Sequence, residues 1–178
     1  MHHLLSTAAV EPSQRLAYWV DMVCDTYVEL ECDPSEGAAG IEGEIAADTL
    51  ATLRLSRVTA TAQHVRRTAA KVAASSDDYF LVSIQTEGLS MVSQDGRDAR
   101  LAPGDFALYD STRPYELRFE GPFQQFVLML PGPTLRTAPR APLTAVAVSA
   151  SVPRSAVRSV GPGSISTNCW NGPSKRSS

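Results

Sequence analysis

Between Tyr79 and Pro131 apolar and polar residues alternate in short runs, each closed by a turn-forming cluster. Period-two alternation over four to eight residues marks half-buried strands. It predicts strands at 79–86, 89–93, 97–101, 106–109, 115–119 and 124–130, with Phe80, Val82 and Ile84 sharing a face of the first. Asp95-Gly96 is a two-residue hairpin signal, because glycine takes a positive φ freely and aspartate tolerates it. Pro103-Gly104-Asp105 is a second tight turn. Pro131-Gly132-Pro133 ends the pattern, since proline cannot donate to a ladder. The sum predicts a mainly β domain, a small antiparallel barrel or sandwich.

The first half alternates less cleanly. Leu16, Val20, Val23 and Tyr27 recur at helical spacing, flanked by Trp19 and Cys24, so a helix capped by Ser13 is predicted over 13–27, with a strand at 27–32 leading into Asp33-Pro34. Strands are expected at 41–46 and 50–61. In the second, Leu53 and Leu55 fall opposite to Val58, which predicts a bulge or a change of register. The Ala-rich stretch 64–74 reads as a short helix. Residues 1–12 read as a loose leader. Residues 136–178 hold five prolines, nine serines and one aromatic residue, Trp170, too little apolar surface to offset ordering, so a disordered tail is expected.

At 178 residues and 43% hydrophobic content, one domain with a real core is expected. No apolar run approaches the ~18 residues of a membrane span. Three cysteines (Cys24, Cys32, Cys169) without CxxC spacing suit a reducing cytoplasm rather than a disulfide framework. All 19 acidic residues and ten of the 16 basic ones lie at or before Glu120, a balance of −9; residues 121–178 carry +6. A basic extension can bind nucleic acid weakly, although the same excess arises in any acid-free tail.

The chemistry-bearing residues are few. A metal site in a small barrel needs several inward histidines and a carboxylate, whereas this chain has only His2, His3 and His64. No G-x-S-x-G elbow or phosphate loop occurs, and Cys24 and Cys32 read as small buried hydrophobes. No catalytic residue, metal or cofactor is therefore expected. Gln85, Tyr109, Tyr115 and Gln125 lie on predicted strands: inward, they give an apolar pocket its convergent polar groups; outward, they are ordinary surface. Arg67 either holds an anionic or hydroxylated ligand through its planar donors or pairs with a neighbour such as Asp78 or Asp110 to pin the scaffold.

Six stretches in series carry a family likeness: His64-Val65-Arg66-Arg67-Thr68; Asp78-Tyr79-Phe80-Leu81-Val82 with Gln85-Thr86-Glu87-Gly88; Gln94-Asp95-Gly96-Arg97; Leu101-Ala102-Pro103-Gly104-Asp105-Phe106; Asp110-Ser111-Thr112-Arg113-Pro114-Tyr115; and Leu130-Pro131. Over roughly residues 15–135 the chain resembles the ligand-binding and dimerisation half of AraC/XylS-type transcription regulators, the AraC-binding-like cupin subfamily. The resemblance implies a cupin-like antiparallel β-barrel with an N-terminal helix and a short inserted helix. It also implies a small-molecule effector, a homodimer or pairing with a related regulator, and DNA contact through a helix-turn-helix part. Under it Arg67 looks like a scaffold element, and Trp19 and Met22 become candidates for a dimerisation helix. The 43 residues after Leu135 are too few and too rich in Pro and Ser for two helix-turn-helix units. The expectation is a sensor half, over 13–135, whose DNA-binding half is missing through truncation or a frameshift near 131–140; the alternative is a stand-alone cupin-like small-molecule-binding protein or enzyme.

Overall fold

The computed structural model describes residues 3–38, 40–50 and 53–137. Eleven strands and three helices follow one another: β1 (His3–Ser6), α1 (Arg15–Thr26), β2 (Glu31–Pro34), β3 (Gly43–Leu50), β4 (Leu53–Ala60), β5 (Gln63–Arg67), α2 (Ala69–Ala73), β6 (Tyr79–Glu87), β7 (Ser90–Gln94), β8 (Arg97–Leu101), β9 (Phe106–Asp110), β10 (Tyr115–Phe119), β11 (Phe123–Pro131) and α3 (Gly132–Arg136). The strands form two antiparallel sheets, β1-β3-β4-β11-β6-β9 and β2-β5-β10-β7-β8, which face each other as the walls of a flattened barrel. Six of the predicted strands, β6 to β11, stand within two residues of where the alternation placed them. At the β7–β8 turn Asp95 and Gly96 take φ of 54° and 71°, the pair of positive values that matches strand twist.

The first half departs from its pattern in several places. Residues 64–67 are not helical. They belong to β5, which lies between β2 and β10, and only the five residues after Thr68 form a helix, capped by the Thr68 hydroxyl. Residues 27–29 form a bend, and β2 begins at Glu31. The expected leader is structured from His3, pairing with β3 as an edge strand before two short 3-10 turns. Ser13 lies within the second of these turns and does not cap α1, whose N-cap is Gln14. No bulge interrupts β4, which pairs with β3 and β11 without a shift. Instead Ser56, Val58 and Ala60 point inward and Leu55 points out. The register shift lies in the pairing of β11 with β6, where Gln124 faces Glu87 and Gln125 faces Gln85, leaving Thr86 of β6 between them.

Helix α1 covers the barrel with Trp19, Met22 and Val23, a face turned slightly from the predicted stripe. The Trp19 indole lies on Gly43, where any Cβ would overlap the ring, and its N–H donates to Gln63 Oε1 at 2.8 Å. Trp19 and Met22 are 1% and 3% exposed, so neither is presented to a second chain. The core beneath joins Ile45, Val58, Leu81, Leu117, Phe119 and Val127 from both sheets.

The outer face of the six-stranded sheet is unusually apolar. The paired positions Arg57, Phe126, Ile84 and Phe106 form one cross-strand row, and Leu55, Leu128, Val82 and Leu108 the next. Among the described residues, Phe126, Ile84 and Leu55 are three of the five large hydrophobic side chains that are exposed. The shared face of Phe80, Val82 and Ile84 is therefore real, but it is the outer face; the inner face of β6 carries Leu81, Ser83 and Gln85.

Candidate functional site

Between the sheets, under α1, lies a cavity of about 40 Å³ walled by Trp19, Tyr27, Tyr109, Tyr115, Phe119, Phe123 and aliphatic side chains, with Gln63 and Gln125 as its polar members. That volume holds roughly three water molecules. Each polar wall residue arrives through strand parity. Tyr109 follows the outward Leu108 on β9, Tyr115 opens β10 opposite Arg67, and Gln125 stands on β11 opposite Val58 and Gln85, immediately after the register shift.

The wall divides into engaged and unengaged groups. The Tyr109 hydroxyl shares a 2.9 Å hydrogen bond with the Ser83 hydroxyl, and the Tyr27 hydroxyl bonds to that of Ser56. The Tyr109 and Tyr115 rings meet at 4.7 Å, inclined by 59°, and Phe119 stacks on Phe123 at 3.6 Å. Gln125 and Tyr115 are 5% and 3% exposed, and among the described residues neither the Gln125 amide nor the Tyr115 hydroxyl has a hydrogen-bond partner. No Asp, Glu, Lys, Arg or His lines the space. Burial disfavours the phenolates, so Tyr109 is pushed up to about 12, and Tyr27 and Tyr115 are raised further from the ordinary phenol value.

Of the residues singled out from the sequence, Tyr109, Tyr115 and Gln125 meet at this cavity and two others do not. The Gln85 amide donates to the Glu87 carbonyl (2.7 Å) and its oxygen accepts from the Ser90 hydroxyl (2.9 Å), tying β6 to the following hairpin. Arg67 is fully buried but faces two loops. Its Nε donates to the Ser111 carbonyl and its Nη1 to the Glu29 carbonyl, each at 2.7 Å, while Nη2 stands 3.9 Å from Asp77. The acidic neighbour is thus Asp77. Asp78 and Asp110 serve Arg136 instead. Trp19, a dimerisation candidate from the sequence, stands in the cavity wall, and Gln63 joins it there from β5; no local signal marks a lone glutamine as inward. His64 lies outside the cavity and bonds Glu116 at 3.0 Å. Among the described residues no three His, Cys, Asp or Glu side chains gather as metal ligands.

One strand joins the cavity to the C-terminal side of the domain. β9 presents Tyr109 inward. The next residue, Asp110, is fixed through its backbone by Gln94 (2.8 and 3.0 Å) and reaches Arg136 of α3 at 3.5 Å. Arg136 also pairs with Asp78 and lies over the Phe80 ring at 5.1 Å.

Residues 19–159 match the AraC-binding-like domain, a span that continues past the boundary expected at 135. A Bacillus sp. (strain OxB-1) protein, described as an uncharacterized protein in the nit 5′ region, is 44% identical over 140 residues, which are 79% of this chain and 54% of that protein. The transcriptional activator NphR of Rhodococcus sp is 28% identical over 127 residues, 71% of this chain and 38% of NphR. The crystal structure of the AraC-like transcriptional activator CuxR superposes with a TM-score of 0.65 at 18% identity, covering 74% of this chain and 47% of that one; this likeness speaks for the fold. The chain thus spans about half, or less, of the relatives it matches. With the family match covering most of its length, the chain belongs to the AraC-binding-like domain family.

Proposed function

We propose that this chain is the effector-sensing part of a bacterial transcription regulator, acting without catalysis of its own. The observation that carries the reading is the cavity without charged lining in which the buried Gln125 amide and Tyr115 hydroxyl have no hydrogen-bond partner among the described residues. Buried polar groups are nearly always paired, so two left open into one space favour a ligand or water there. A ligand that binds one arrangement of the barrel better than another shifts the population toward it. The route outward is β9, which puts Tyr109 at the cavity and Asp110 on Arg136 of α3, after which the chain continues. DNA contact belongs to the remaining part of such regulators, and the setting is the cytoplasm; no helix among the described residues is long and apolar enough to cross a membrane. Self-association with a second copy or a related regulator belongs to the same reading, and uses residues other than the buried Trp19 and Met22.

Hydrogen exchange on the full chain, screened against a small-molecule library, tests this. An effector is expected to slow exchange in α1, β9 and α3 together. Binding compounds that leave α3 unchanged, or a library without any compound that protects the barrel, would count against sensing through this route.

A further inference from the structure

The composition of the cavity wall bears on what enters it. Six aromatic rings, that of Tyr115 among them, and several aliphatic chains line the cavity with Gln125 and Gln63, and no acidic or basic side chain contributes. Arg67, whose charge reaches Tyr115 from behind the wall, is held by the Ser111 and Glu29 carbonyls and lies 3.9 Å from Asp77, so a charged guest would leave water without a free opposite charge to meet it, a severe penalty inside a low-dielectric wall. The amide of Gln125 offers both a donor and an acceptor, and the Tyr115 hydroxyl does the same. From this lining we infer that the effector is an uncharged, ring-sized molecule bearing one hydroxyl, amide or carbonyl group, gripped by Gln125 and Tyr115 and stacked among the aromatic walls. The inference rests on the sensing reading above and narrows it.

The size of the space adds a mechanical condition. At about 40 Å³ the cavity does not hold a six-membered ring, since a dry cavity that accepts benzene is several times larger. One wall must therefore yield. The strands within each sheet are cross-linked by ladder hydrogen bonds, whereas α1 supplies Trp19 and Val23 through side-chain contacts. Its polar ties to the barrel include the Trp19–Gln63 hydrogen bond at 2.8 Å and the Arg15–Glu42 ion pair. The ligand thus displaces the Trp19 edge of α1, and can replace the indole at the Gln63 oxygen. The three cavity phenols stay neutral through the physiological range, because burial raises all of them; Asp25, near Tyr27, and Arg54 line a separate groove at the C-terminal end of α1. Affinity for a neutral ligand is accordingly flat between about pH 6 and 9.

Trp19 is its own reporter. In the full chain carrying Trp170→Phe, which leaves Trp19 as the sole tryptophan, fluorescence is titrated with benzyl alcohol, benzamide, benzoate, benzylamine and toluene at pH 7. Benzyl alcohol and benzamide are expected to give saturable changes, with benzoate and benzylamine at least about 100-fold weaker. Gln125→Leu should weaken benzyl alcohol about tenfold and leave toluene unchanged; Gln125→Asn, which keeps the amide but withdraws it, should weaken benzyl alcohol as well. Thermal melts of both variants confirm folding. A charged probe binding within tenfold of its neutral counterpart overturns the inference, as does equal weakening of toluene and benzyl alcohol by Gln125→Leu. If no neutral ring binds while the exchange screen finds an effector, the ligand class alone fails; if the screen is also empty, the sensing reading fails with it.

Discussion

Replacing Arg67 by methionine distinguishes a scaffold arginine from a ligand-binding one. The side chain is entirely buried, and its two 2.7 Å hydrogen bonds hold the Ser111 carbonyl after β9 and the Glu29 carbonyl before β2. Methionine keeps much of the volume and removes both donors. Ser111 is fully buried, so its carbonyl loses its Arg67 donor with no direct access to solvent, at about 1–3 kcal/mol; the Glu29 carbonyl is nearer solvent and loses less. Release of the guanidinium from a site where Nη2 lacks a hydrogen-bond partner offsets part of this. The net is a destabilisation of about 2–3 kcal/mol, which at a urea dependence of about 1.5 kcal/mol per molar moves the unfolding midpoint down by about 1.3–2 M. Arg67→Lys should recover only part, because an ammonium cannot span two carbonyls as the guanidinium fork does. Equilibrium urea unfolding followed by Trp19 fluorescence reads the shift. Ligand affinity of the folded Arg67→Met protein should stay within about twofold of the parent, in keeping with an arginine outside the cavity. A stability change below about 0.5 kcal/mol, the range of ordinary surface substitutions, would refute this reasoning.

Other consequences are equally open to measurement. Gly43→Ala drives a methyl group into the Trp19 ring and should cost about 1–3 kcal/mol with a change in Trp19 emission; an unchanged melt would show that α1 shifts freely. The phenols of Tyr27, Tyr109 and Tyr115 are raised in the fold, so their stabilising contribution is complete below the unfolded value near 10 and is lost as pH rises through the folded values. Each costs up to about 1.4 kcal/mol per pH unit in that window. Tyrosinate absorbance should therefore appear for these three together with loss of far-ultraviolet dichroism, and a gradual titration in a still-folded protein would contradict it. Glu116 is lowered, first by its hydrogen bond to Arg118 and then by His64. Its contribution is present above the unfolded value near 4.3 and is lost below it. Because the carboxylate is well exposed, Glu116→Gln should cost less than about 1 kcal/mol at pH 7 by urea unfolding and nothing at pH 3.

The sequence discloses the second half of the fold well and the first half poorly, for identifiable reasons. β6 to β11 are runs of five to nine residues rich in apolar side chains and divided by turn signals such as Asp95-Gly96, so length and punctuation agree. β5 was hidden because Ala69, Ala70, Ala73 and Ala74 extend a helical composition backward over Val65, whereas pairing with β2 and β10 decides the outcome. The supposed bulge at Val58 came from assigning both leucines of β4 to the core. In this barrel the rule runs the other way at several positions: Ser56, Ser83, Gln85 and Gln125 point inward while Leu55, Ile84 and Phe126 point out. A pattern that equates apolar with interior selects the right period there and the wrong face.

That inversion also explains why the cavity residues could be named from the sequence but not sorted. Gln85 and Gln125 stand opposite each other on β6 and β11, both buried, and nothing local tells them apart. What separates them is whether a partner already answers the amide. Gln85 has Ser90 and Glu87 within reach because the β6–β7 hairpin turns directly beside it. Gln125 looks across to Val58 on one side and to Gln85, whose amide is already engaged, on the other, and the cavity it lines is walled mostly by aromatic rings and aliphatic chains. A buried amide with both partners supplied is a fastener, and one with none is an invitation to a ligand. Transplanting the distinction makes it testable. Val58→Ser places a hydroxyl opposite Gln125, and if that hydroxyl satisfies the amide, benzyl alcohol should lose affinity while toluene does not. Unchanged affinity for benzyl alcohol in a protein that still folds would mean that the amide's lack of a partner is not what draws the ligand.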